Sequence, residues 1–159
     1  MDNKKLPINV IIPAAGEATR LRPITSNISK AMVPVNGKPV IDYIIEYLNQ
    51  YNIEQIIIVT GKNKDLSNYI TAKYKNDIRI SSVIQNDPTG PLDAIKIGSD
   101  SLKNHLPTVV WLGDTIIGQP NLPLGEDFLL CAKEVDDHSE WCIYSPESEK
   151  HYNNKPKVH

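Results

Sequence analysis

Between Ala14 and Lys38 the sequence gathers four basic side chains, Arg20, Arg22, Lys30 and Lys38, against one acid, Glu17, in a chain of formal net charge −2. The segment opens on small residues, Ala14, Ala15 and Gly16. Small residues let a backbone approach a ligand closely with its N–H groups aimed at phosphate oxygens, and arginine adds a fork that grips phosphate. Polyphosphate binding is the chemistry within reach, although a solvated surface loop has the same composition. The segment matches neither G-x-x-x-x-G-K-[ST] nor G-x-G-x-x-G, so neither the P-loop nor the dinucleotide fingerprint applies. Further along, Gln85 opens the turn Gln85-Asn86-Asp87-Pro88-Thr89-Gly90. An amide donates and accepts at once, which suits the edge of a pyrimidine base as well as it suits water. Asp114 follows Leu112-Gly113, and a carboxylate there either caps a turn or binds Mg²⁺, which takes one or two carboxylates and fills its octahedron with water and phosphate oxygens.

Such residues need a scaffold, and the hydrophobic pattern supplies one. Ile8–Ile12, Ile56–Val59 and Val109–Leu112 are continuous apolar runs of strand length, the pattern of parallel strands covered on both faces. Ile78 to Val83 alternates like a half-exposed edge strand. Between the runs, Pro39 opens a helical pattern with Ile41, Ile44, Ile45 and Leu48 on one face, a second helix covers Leu66 to Tyr74, and a third runs from Pro91 to Leu102 with Gly98 as its weak point. The order predicts a doubly wound α/β domain, a mostly parallel Rossmann-like sheet with helices on both faces. Ligands of such sheets bind beyond the carboxyl ends of the strands, and Ala14, Gln85 and Asp114 all lie there. The domain is expected over 1–144, with strands at Glu126–Val135 and Trp141–Tyr144, and 145–159 as a polar tail or cut connection.

Composition narrows the function. With 40% hydrophobic and 23% charged residues the chain lacks the basic excess of a nucleic-acid binder, and no apolar run nears the ~20 residues that span a bilayer. Cys131 and Cys142 form no C-x-x-C pair, as befits core thiols in a reducing cytoplasm. Asp136, Asp137 and His138 read as a solvated turn, and no Ser/His/Asp or Cys/His set is legible.

Pro13-Ala14-Ala15-Gly16-Glu17-Ala18-Thr19-Arg20-Leu21-Arg22-Pro23-Ile24-Thr25, followed by Ser29-Lys30-Ala31-Met32-Val33-Pro34-Val35-Asn36-Gly37-Lys38-Pro39-Val40, resembles the signature of the sugar-1-phosphate nucleotidyltransferases. The resemblance implies that the Ala14-Ala15-Gly16 turn lies against the nucleotide, that Arg20 and Lys30 hold the leaving pyrophosphate, that Gln85 and Gly90 meet the base of dTTP or UTP, and that Asp114 binds Mg²⁺. Lys38 and Arg22 are expected to be structural or peripheral. The family's Gly-x-Gly-Thr-Arg becomes Gly16-Glu17-Ala18-Thr19-Arg20, where Ala18 is strained if the position needs a positive φ. Asn154-Lys155-Pro156 resembles the element whose lysine, here Lys155, meets the sugar phosphate.

The implied reaction is attack of a sugar 1-phosphate oxygen on the α-phosphorus of a nucleoside triphosphate with loss of pyrophosphate. The nucleophile is already an anion, so alignment and charge neutralisation replace an acid–base set. The other reading is a nucleotide-binding or regulatory module of the same fold without turnover. The resemblance fades after Trp141. The C-terminal part of the family fold, with its second metal carboxylate, is therefore expected to lie beyond His159, and the chain alone is expected to bind nucleotide with little turnover and to self-associate.

Overall fold

The computed structural model describes residues 6–87, 89–117, 142–145 and 150–153. The chain divides into two compact units, 1–121 and 122–159.

In the first unit the isoleucine-rich runs become strands β1 (Ile8–Ala14) and β4 (Ile53–Thr60), flanked by β5 (Ile80–Ile84) and β6 (Thr108–Val110) in a parallel sheet of order β5-β4-β1-β6. Residues 34–35 and 38–39 form a short antiparallel pair, β2 and β3. Helices α1 (Val40–Leu48), α2 (Asp65–Lys73) and α3 (Pro91–Asp100) fill the connections. Right-handed crossovers put α1 and α2, which lead the chain outward from β1, on one face, and α3, which brings it back across β1, on the other. The Rossmann-like α/β architecture expected from the order of elements is therefore present.

Both faces of the two central strands are buried. Ile8, Val10, Ile11, Ile12, Ile56, Ile58 and Val59 are at most 1% exposed. From α1, Ile41, Ile44, Ile45 and Leu48 are equally buried, while Tyr47 lays its ring 5.4 Å from that of Trp111. Trp111 is thus sheet core, its indole N–H donating to the Thr115 carbonyl at 2.9 Å. On the other face α3 packs Ala94 and Ile97 against Ile11, Val59 and Val83. Gly98, which propensity marks as a weak point, is where this helix meets the sheet: a Cβ there would stand 2.5 Å from Ile11 Cγ2. Packing outweighs the ~1 kcal/mol propensity penalty.

Three expectations change. The run Val109–Leu112 is exposed in part, Val110 by 42% and Leu112 by 50%, because among the described residues β6 pairs with β1 alone. Ile78 lies outside β5 and is 97% exposed; the alternation extends two residues beyond the strand toward the N-terminus. In the second unit β7 (Cys142–Ser145) pairs antiparallel with β8 (Lys150–Asn153), although the polarity of 145–159 reads as tail. Backbone pairing requires no apolar side chain, so polarity alone misses such a strand. Glu126–Val135, Cys131, Asp136, Asp137, His138 and Lys155 lie outside the described residues.

Candidate nucleotide site

The chain runs outward from β1 through β4 to β5, then returns to β6 on the other side of β1. That reversal opens a crevice beyond the carboxyl ends of β1 and β6, where open α/β sheets bind ligands. A cavity of about 660 Å³ lies there. It is lined by the loop Ala14–Ala18, by Lys30 and Ala31, by Gln85, Gly90, Pro91 and Ala94, and by Leu112, Gly113 and Asp114. Ala14, Ala15, Gly16, Lys30, Gln85, Gly90 and Asp114, singled out in the sequence by residue chemistry and by the resemblance, thus share one cavity. Arg20 does not line it; it is exposed on the 3-10 turn Thr19–Leu21, two residues from Ala18, which does. A smaller cavity of about 230 Å³ adjoins the same loop and includes Arg22 and Lys62.

The loop leaving β1 passes between the ends of its neighbours, and both are glycine at that point. A Cβ on Gly61, after β4, would lie 2.9 Å from the Ala15 carbonyl oxygen, and one on Gly113, after β6, 2.8 Å from Ala14 Cβ. No side chain fits at either. These two glycines are part of the site's construction that sequence reading did not single out; the signal was available as a glycine just after each strand.

Ala18 settles the question its identity raised. It sits in the left-handed region, φ 49° and ψ 43°, with its carbonyl accepting from the Thr25 hydroxyl at 2.8 Å and the Leu21 N–H at 3.0 Å. That conformation costs a non-glycine residue ~1–2 kcal/mol. Ala18→Gly is therefore expected to stabilise the chain by about 0.5–1 kcal/mol after the glycine's extra chain entropy is subtracted, read as a rise of a few degrees in Tm. An unchanged or lower Tm would show that the loop carries no strain at this residue.

Lys30 is aimed by a clamp from outside the motif. Asp65, at the start of α2, accepts from the Ser29 N–H at 2.6 Å and the Ser29 hydroxyl at 2.5 Å, anchoring the turn Lys30–Met32. The Lys30 ammonium reaches across the cavity to Asp114 Oδ2 in a short ion pair. Burial pushes the Asp114 pKa up, but the Lys30 hydrogen bond and charge, with the Thr115 hydroxyl, more than reverse this, leaving the carboxyl below the usual range. Asp114 is thus an anion at neutral pH. Lys38, by contrast, is spoken for elsewhere: it pairs with Glu46 at 2.5 Å and lies 3.8 Å from the Tyr43 ring centre.

A family model for nucleotidyl transferases matches residues 9–149. The chain belongs to the nucleotidyl transferase family. It is 34% identical over 154 residues to a UTP–glucose-1-phosphate uridylyltransferase of Streptococcus pyogenes, covering 82% of this chain and 49% of that protein. A stretch of 67 residues is 49% identical to a choline-phosphate cytidylyltransferase of Streptococcus pneumoniae, 42% of this chain and 29% of that one. Among solved structures, a UDP-glucose pyrophosphorylase complexed with UDP-glucose superposes with a TM-score of 0.56 at 31% identity, covering 69% of this chain and 46% of the other. The chain spans about half the length, or less, of the relatives it matches. No helix among the described residues is long and apolar enough to cross a membrane.

Proposed function

We propose that the chain carries the nucleotide site of an enzyme that transfers a nucleoside monophosphate from a nucleoside triphosphate to a sugar 1-phosphate, releasing pyrophosphate, in the cytoplasm. The observation that supports it most is the convergence of the Ala14–Gly16 turn, Lys30, Gln85, Gly90 and Asp114 on one cavity at the sheet's reversal point. The relative named as a UTP–glucose-1-phosphate uridylyltransferase supports UTP as donor, and a solved structure named for glucose-1-phosphate thymidylyltransferase supports dTTP beside it.

Asp114 fits a divalent cation such as Mg²⁺. No group of three ligand-type side chains is found among the described residues, and Mg²⁺ bound with nucleotide needs only one or two carboxylates because phosphate oxygens complete its shell. Asp114 is anionic and already holds a cation, the Lys30 ammonium. When bound, the ion would neutralise phosphate charge. The chain's own groups do the rest. Backbone N–H groups of the small-residue turn cradle phosphate, Lys30 moves from Asp114 to the triphosphate, and Arg20 neutralises departing pyrophosphate. Lys155 takes the phosphate of the sugar in this reading. No proton needs to move, because the attacking phosphate oxygen is an anion.

Calorimetric titration of UTP and dTTP with Mg²⁺ tests the site, with ATP and GTP as competitors. Pyrimidine nucleotides are expected to bind and purines to compete poorly. Arg20→Ala is expected to weaken UTP binding by about tenfold or more, since a hydrogen bond to a charged group contributes ~1.5–3 kcal/mol. Purine preference would overturn the base assignment, and equal affinity of variant and wild type would take Arg20 out of the site.

A further inference from the structure

The two relatives disagree about the base: one is named for UTP and the other transfers cytidylyl. Similarity therefore leaves open which pyrimidine this cavity prefers, but the hydrogen bonds around Gln85 bear on it. The Gln85 N–H donates to the Thr60 carbonyl at 2.8 Å, fixing the backbone to the end of β4. The residue is 3% exposed and lines the cavity. The side-chain Nε2 donates to Asp93 Oδ2 at 2.7 Å and faces the Gly90 carbonyl at 3.4 Å. A carboxylate and a peptide carbonyl only accept, so the amide cannot be turned the other way without setting oxygen against oxygen twice. Gln85 lines the cavity, and among the described residues none donates a hydrogen bond to Oε1. It is the half of the amide that stays open.

Asp93 is held for this task. It lies in the first turn of α3, three residues past Gly90, and the hydrogen bonds from Gln85 and then Thr89 keep its carboxyl below the usual range. It stays an acceptor at neutral pH.

We infer that Asp93 is a positioning residue that fixes the Gln85 amide with its carbonyl toward the ligand, so that the site selects a pyrimidine carrying an N3–H, uracil or thymine, over cytosine. This rests on the nucleotide-site reading above. A fixed acceptor rewards a ring N–H and meets a lone pair at the same place in cytosine, whereas an amide free to turn would serve both bases alike.

The experiment is calorimetric titration of the full chain with UTP, dTTP and CTP in Mg²⁺, for wild type, Asp93→Asn and Asp93→Ala, with Tm recorded for each. Wild type is expected to bind UTP and dTTP at least about tenfold more tightly than CTP, the order expected of one unmatched hydrogen bond. Both variants should bring the UTP-to-CTP ratio toward one. Asparagine serves as the gentler change, since it keeps the shape and supplies an N–H that lets Gln85 turn over. A merely structural role would weaken all three nucleotides together and leave the ratio where it was, and that result overturns the inference while the nucleotide site stands. Wild-type preference for CTP overturns it too. Failure of the folded wild type to bind any of the three removes the nucleotide reading itself, and the inference with it.

Discussion

Asp114→Asn is expected to abolish the effect of Mg²⁺ on UTP binding. The substitution keeps the size and planarity of the side chain and removes only its charge, so the lining of the cavity is preserved. Asp114 is held below the usual carboxyl range by Lys30 despite its burial, and it lines the same cavity as the small-residue turn. Loss of a group that merely supports a metal ligand costs 10–100-fold in metal affinity, and a direct ligand should cost at least about as much. The sign without metal is the opposite. In EDTA the variant should bind UTP as well as wild type or better, because a carboxylate facing a triphosphate repels it. Titrations of both proteins with and without Mg²⁺ give four affinities. If Mg²⁺ strengthens binding equally in variant and wild type, the metal sits elsewhere.

Asp42→Ala should cost about 3 kcal/mol of folding stability, a large share of the ~5–15 kcal/mol typical of a domain. The Asp42 carboxylate is fully buried in α1, and it is met from α2 and the residue beyond it by the Tyr69 hydroxyl at 2.6 Å, the Lys73 ammonium at 2.6 Å and the Tyr74 hydroxyl at 2.7 Å. Removing it takes the acceptor from both phenolic O–H donors, although Tyr69 still accepts from Lys73 at 3.0 Å; Lys73 is 43% exposed on its side chain, so water compensates most of its loss. Burial pushes the Asp42 pKa up, but the hydrogen bonds from Lys73, Tyr69 and Tyr74 carry it below its ordinary value. A depressed folded pKa means that the stabilisation is complete above the unfolded value of about 3.9 and fades as pH falls through the folded one. Denaturant melts at pH 7 should separate wild type from variant, and the gap should narrow on acidification below about pH 4. A gap under about 0.5 kcal/mol at pH 7, or one unchanged at low pH, would show that the cluster does not hold α1 to α2.

Much of this was legible beforehand. Ile8–Ile12 and Ile56–Val59 announced buried strands because a run of β-branched residues has few other uses. Ile41, Ile44, Ile45 and Leu48 announced the inner face of α1, and the long ordered pattern from Pro13 to Val40 announced the family. Asp114 was legible as a candidate because it stands just past a strand. The strands and the helix face are recorded in local periodicity, and the resemblance and Asp114 in the order of neighbouring residues.

The order of strands was a different matter. That β6 lies beside β1, and not beyond β5, decides that Asp114 faces the Gly16 turn and Lys30. That depends on the direction and hand of three crossovers. The clamp of Ser29 by Asp65, 36 residues apart, and the burial of Asp42 under Tyr69, Lys73 and Tyr74 are likewise pairings between elements. Their polar residues look like ordinary solvated side chains in the sequence. Ala18 could be suspected of strain from its place in the motif, but only the backbone has a φ. Gln85 could be chosen from its type and position, yet the bond from its Nε2 to Asp93 belongs to the fold alone. Periodicity thus determined the central strands β1 and β4 and the three helices, since these follow from which residues must leave water, and the ordered motif from Pro13 to Val40 carried the resemblance to the family. Tertiary structure alone decided which charges meet, because hydrogen bonds and ion pairs depend on distances of a few ångströms that residue order does not encode.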